Sequence, residues 1–90
     1  MTYNVQLSPH AAKQYRKFDP PIKAQVQAAI DSLQHTPASG SKIDRLKGRL
    51  HAYYRYRTGD YRILYVIDHA SRSVYIDYIQ HRRDVYRDLE

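Results

Sequence analysis

Tyr3-Asn4-Val5-Gln6-Leu7 alternates apolar and polar side chains, the period of two that marks a half-buried strand, and Ser8-Pro9 stops it. A short helix is predicted to follow, with Ser8 as N-cap, Pro9 in the first turn and Ala12, Tyr15 and Phe18 on one stripe, away from Lys13, Arg16 and Lys17. Asp19-Pro20-Pro21 repeats the cap-then-proline signal. Ile22, Val26, Ala29, Ile30 and Leu33 then recur at helical spacing until Thr36-Pro37. Two such helices form a hairpin whose apolar stripes need a broader surface to bury against, and a sheet supplies it.

Between Pro37 and Gly48 the residues Ser39-Gly40-Ser41 and Lys47-Gly48 predict a mobile loop. Tyr53 to Thr58 and Tyr61 to Ile67 are strand-like runs around Gly59-Asp60, the composition of a two-residue hairpin turn. With that turn Thr58 pairs with Tyr61 and Arg57 with Arg62. Two guanidinium groups then stand opposite each other, which is unfavourable unless an anion lies between them or both splay into water. Tyr61 to Ile67 is apolar on both faces beyond Arg62, as a central strand is. Val74, Ile76 and Tyr78 alternate with Tyr75, Asp77 and Ile79 in its neighbour, and Arg82 to Glu90 is left as a helical turn or tail with Val85 and Leu89 available to pack. Tyr54, Tyr65, Tyr75 and Tyr78 are assigned to packing.

The expectation is one α+β domain over residues 1–90, with a small antiparallel-rich sheet packed against an N-terminal two-helix hairpin. Its order is β-α-α-β-β-β with a short C-terminal helix or tail. Cysteine is absent, so neither disulfides nor a thiolate metal site hold the fold. No signal-peptide pattern or apolar run of membrane-spanning length occurs, so a soluble cytoplasmic protein is expected.

Charge changes the picture. The chain carries +6, and between Lys42 and Arg62 seven cations oppose only Asp44 and Asp60, a local surplus of five. Lys42, Arg45, Lys47, Arg49, Arg55, Arg57 and Arg62, with Arg83 further on, are the candidate RNA-binding cations. Tyrosines among them supply rings that stack on unpaired bases. Asp44, Asp60, Asp68, Asp77 and Asp84 are scattered, the five histidines lack ligand spacing, and no Gly-x-Ser-x-Gly elbow or phosphate loop occurs. Neither metal nor organic cofactor is expected.

RNA carries its own nucleophile in the 2′-hydroxyl, so cleavage needs only positioned cations and proton carriers. Arg62 and Arg55 are suited to stabilise phosphate charge. His81 is a proton-carrier candidate, and Tyr86 is a second if nearby guanidinium groups favour its phenolate.

With these residues in place, the chain resembles the RelE/ParE toxin superfamily, the RelE branch in particular. The resemblance rests on Leu7-Ser8, the hairpin to Pro37, Arg45-Leu46-Lys47-Gly48, Gly59-Asp60-Tyr61-Arg62-Ile63-Leu64-Tyr65, and Ile79-Gln80-His81-Arg82-Arg83-Asp84-Val85-Tyr86-Arg87. It implies a toxin that enters the ribosomal A site and cleaves mRNA by metal-independent 2′-hydroxyl attack. Arg62 then matches the arginine on the scissile phosphate, Arg82 the leaving-group arginine, and Tyr86 the base or stacking partner. His81 stands where members carry histidine or lysine, Arg55 where some carry lysine, and Tyr53 replaces another family lysine. The implied partners are mRNA, ribosomal RNA and an acidic RelB-like antitoxin, with the free toxin monomeric. The alternative is a ParE-like toxin that poisons DNA gyrase without cleaving RNA, since one scaffold serves both.

Overall fold

The computed structural model describes residues 2–84. Of the expected helical turn or tail from Arg82 to Glu90, residues 82–84 form a turn closed by Asp84 N–H donating to His81 O at 2.8 Å, and Val85, Tyr86 and Leu89 lie outside the described residues. The chain runs β1 (Asn4–Leu7), α1 (Pro9–Lys17), α2 (Pro20–Leu33), β2 (Ile43–Arg45), one 3₁₀ turn (Gly48–Leu50), β3 (Tyr54–Thr58), β4 (Tyr61–Asp68) and β5 (Ser73–His81). The five strands form one sheet in the order β1-β5-β4-β3-β2, with β1 parallel to β5 and every other pair antiparallel.

The Ser8 cap behaves as its chemistry dictates. Ser8 Oγ accepts the Ala11 amide at 3.0 Å and proline follows directly. Asp19 caps α2 without a side-chain bond; only its carbonyl is engaged, by Lys23 N–H at 2.9 Å. Strand alternation then sorts the sheet residues by face. Ile63 and Tyr65 of β4 join Val74, Ile76 and Ile79 of β5 under Ala11, Val26, Ala29, Ile30 and Leu33, all in one buried cluster. On α1 the residue in that cluster is Ala11, with Ala12 only half-buried. Arg62 and Leu64 project from the opposite face, where Leu64 is nevertheless fully buried. Tyr75 departs from its packing assignment: it lies on that second face, opposite Val66 and Gln6, and is exposed.

The segment from Pro37 to Gly48 is more ordered than its composition predicts. Ile43–Arg45 forms an edge strand against β3, Arg57 N–H donates to Lys42 O at 2.9 Å, and the buried Tyr65 hydroxyl donates to Pro37 O at 2.7 Å. A three-residue edge strand with one apolar side chain carries no alternation signal, and edges favour charge.

Strand β5 outruns β1, and α1 covers its outer edge beyond that point. Ser8 N–H donates to Ile76 O at 2.8 Å, Ser8 Oγ–H to Asp77 O at 2.9 Å, and Ile79 N–H to Gln14 Oε1 at 2.9 Å. Tyr65 pairs with Ile76 and Leu64 with Tyr78, so Asp77 is the extra residue of a bulge. Among the described residues no helix is long and apolar enough to cross a membrane.

Candidate nucleic-acid site

Thr58 pairs with Tyr61 and Arg57 with Arg62, the register of a two-residue turn. Gly59 has φ +58° while Asp60 does not take positive φ, the pattern of a type II′ turn with glycine first. The opposed guanidinium groups turn apart, each to its own acceptors within the chain. Arg57 Nη2 donates to Ser41 O at 3.0 Å and its Nε lies 3.5 Å from Asp44 Oδ2. Arg62 Nη1 donates to the carbonyls of Gly59 and Tyr61, both at 2.9 Å.

The same turn holds Arg82. Its N–H donates to Asp60 O at 2.7 Å, and its Nε lies 3.6 Å from Asp60 Oδ1. Arg62 and Arg82, 20 positions apart, therefore converge on Gly59-Asp60 from two strands. The Arg82–Asp60 pair is 63% and 62% exposed, so water screens it and a phosphate can displace the carboxylate.

His81 stands beside this pair but on the helix side. It pairs with Tyr61, and the two rings meet edge to face at 5.4 Å. Phe18 meets Tyr61 in turn at 5.1 Å. The Arg83 backbone N–H and its Nε–H both donate to His81 Nδ1 at 3.2 Å. Both donors point at the lone pair of Nδ1, which leaves Nε2 to carry the ring N–H. Held this way, His81 is a hydrogen-bond donor.

The remaining cations are divided. Asp44 accepts from Arg55 Nη2 at 3.0 Å as well as facing Arg57, and so offsets two candidate RNA contacts. Arg45 is turned to the other side, donating to His51 O at 3.0 Å with its guanidinium 5.0 Å from the centre of the Tyr54 ring. Lys42, Lys47, Arg49 and Arg83 are exposed. Tyr86 lies outside the described residues.

Two features escaped sequence reasoning. Asp44 reads there as a counted charge, and only strand pairing shows that it faces Arg55. Tyr53 hydroxyl donates to Asp77 Oδ2 at 2.6 Å, and that bond, with burial and the carboxylate's charge, pushes the phenol up to about 12. Tyr53 is thus a neutral latch onto β5. Burial also raises the Tyr65 phenol well above its ordinary range. Among the described residues no group of three or more His, Cys, Asp or Glu is placed to hold a metal ion.

A helical hairpin on a five-stranded mixed sheet, with arginines gathered at one strand end, defines a RelE-like toxin fold. A chain in the crystal structure of the toxin–antitoxin complex RelBE2 from Mycobacterium tuberculosis is similar at TM-score 0.82 and 29% identity, covering 91% of this chain and 100% of that one. E. coli RelE, solved as a mutant in the free state, shares the fold at TM-score 0.80 and 17% identity, over 100% of this chain and 94% of that one. Toxin RelG of Mycobacterium tuberculosis is 34% identical over 88 residues, 97% of this chain and 99% of that protein. The model of the ParE toxin of type II toxin–antitoxin systems, parDE, matches residues 5–86. The chain belongs to that family, and is a type II toxin of the RelE/ParE superfamily.

Proposed function

We propose that this toxin is a ribosome-dependent endoribonuclease that cuts mRNA in the A site without a metal. The convergence of Arg62 and Arg82 on the Gly59-Asp60 turn carries the reading. Two always-charged groups fixed at one strand end suit a phosphate passing into a pentacoordinate transition state. The 2′-oxygen attacks phosphorus and gives up its proton, the bond to the 5′-oxygen breaks, and that oxygen collects a proton. The products are a 2′,3′-cyclic phosphate and a 5′-hydroxyl. Arg62 neutralises the phosphate, Arg82 the charge on the departing oxygen, Tyr86 handles the 2′-hydroxyl proton, and His81 offers its Nε2–H as a donor. Arg55, Arg57, Lys42, Arg45, Lys47, Arg49 and Arg83 supply contacts to RNA and ribosome, and Arg55 and Arg57 must first exchange Asp44 for phosphate.

A partner antitoxin of acidic, RelB-like character covers this cationic surface in the resting cytoplasm, as expected for a chain similar to one in a toxin–antitoxin complex. Primer extension on mRNA programmed into ribosomes tests the nuclease. Cuts inside the A-site codon are expected with the wild type and should fall about 100-fold with Arg62→Ala, the effect of losing one fixed charge at a transition state. The matched family bears the ParE name, so DNA supercoiling by gyrase is measured in parallel. Intact message with blocked supercoiling would replace the nuclease by the gyrase poison.

A further inference from the structure

Around the strand end from Arg62, on the α1 side, lies a groove of about 570 Å³ whose lining includes Gln14, Lys17, Phe18, Tyr61, His81 and Arg83. We propose that it binds the backbone phosphate of the message next to the one being cut, a subsite that rests on the nuclease reading.

The polarity of the groove points to an anion. Gln14 gives its Oε1 to the Ile79 amide, which leaves its amide NH₂ as the end to meet a ligand. His81 gives its Nδ1 to Arg83, which leaves Nε2–H as a donor. Gln14 and His81 thus spend their acceptors on neighbouring N–H groups and keep donors for a ligand. Exposed Lys17 and Arg83 add positive charge, while Asp84 is the acidic group of the lining. The edge-to-face series Phe18–Tyr61–His81 supplies ring surface for the ribose or base beside the phosphate.

Continuity favours RNA over an acidic peptide. His81, Arg82 and Arg83 are consecutive: Arg82 sits on the turn with Arg62, while its two neighbours line the groove. A strand crossing the turn at Arg82 is thus met on the groove side by the residues that flank it in the chain.

The test uses the isotope-labelled full chain and a hexaribonucleotide with every 2′-hydroxyl methylated, which binds without being cut. The Gln14 side-chain NH₂ and His81 Nε2–H signals should move together and saturate. Lys17→Ala should weaken binding about two- to fivefold, as loss of an exposed ion pair does, and reduce the slope of log K against log salt by about 0.7. One methylphosphonate linkage should reproduce that loss in the wild type and add nothing to Lys17→Ala. Unmoved signals, or additive losses at every linkage, would overturn the subsite, as would signals that answer an acidic peptide but not RNA. Binding is read without cleavage, so the two proposals fail separately. A wild type that leaves ribosomal message intact yet passes this titration removes the nuclease and keeps the groove. Normal cleavage with a silent groove does the reverse.

Discussion

Gly59→Ala should destabilise the protein for two separable reasons. At φ +58° an L-residue costs about 1–2 kcal/mol relative to glycine. The new Cβ would also lie 2.6 Å from Gln25 Nε2, closer than any real contact, while that nitrogen donates to Thr58 O at 2.7 Å. The Gln25 side chain has to move and its bond is lost, at about 0.5–1.5 kcal/mol. Together the change costs about 1.5–3.5 kcal/mol, a fall in Tm of roughly 6–28 °C for a domain of this size. Thermal unfolding of Gly59→Ala, Gln25→Ala and the double variant separates the parts. With Gln25 truncated the steric conflict is gone and the bond already lost, so the double variant should be about 0.5–1.5 kcal/mol more stable than additivity predicts. Because Arg62 and Arg82 both bond to this turn, Gly59→Ala should also cut cleavage at temperatures where it is fully folded. Strict additivity, or a Gly59→Ala protein as stable as wild type, would refute the account of the turn.

Three further outcomes follow from single contacts. Tyr53→Phe loses the bond to Asp77, and because the folded phenol is held near 12 against about 10 unfolded, the wild type's advantage should be complete below pH 10 and vanish as pH rises through about 12; denaturant melts of both proteins across that window check it. Asp44→Asn releases Arg55 and Arg57, so RNA binding followed by fluorescence anisotropy should tighten and its salt slope steepen by about 0.7 for each phosphate newly neutralised; an unchanged slope would show that neither arginine reaches RNA. Tyr65→Phe strips a buried donor from the Pro37 carbonyl and should cost about 1–3 kcal/mol, lowering Tm by roughly 4–24 °C, with no loss meaning that this bond does not anchor the segment leading to β2.

Elements with a period were legible in the chain, and pairings without one were not. The α2 stripe, the Ser8 cap and the Arg57–Arg62 register each follow from local rules, because helix spacing, a capping hydroxyl and a two-residue turn act over a few residues. Strand β2 is set by its partner, since Asp44 becomes a strand residue only when Arg55 stands opposite. Tyr53 meets Asp77 across 24 positions of sequence, a bond that no local rule predicts. Charge density located the cationic region, but its effective charge depends on Asp44, which distance alone reveals.

Alternation also decides how the arginines and the histidine divide their work. Neighbouring residues of a strand point to opposite faces, so Tyr61 carries the helix-side ring ladder to His81 while Arg62 turns away from it. No side chain of β4 serves both faces. A site that uses Arg62 and His81 together must therefore sit across the end of the strands, where the chain has turned at Gly59-Asp60 and left β5 at Arg82. At that end Arg62 and Arg82 bond to the turn while His81 bonds to Arg83, so the turn fixes the position of the charges, and the proposed RNA would be held between faces rather than on one. On the proposed nuclease reading, the conformation of a two-residue turn becomes a determinant of where the phosphate rests.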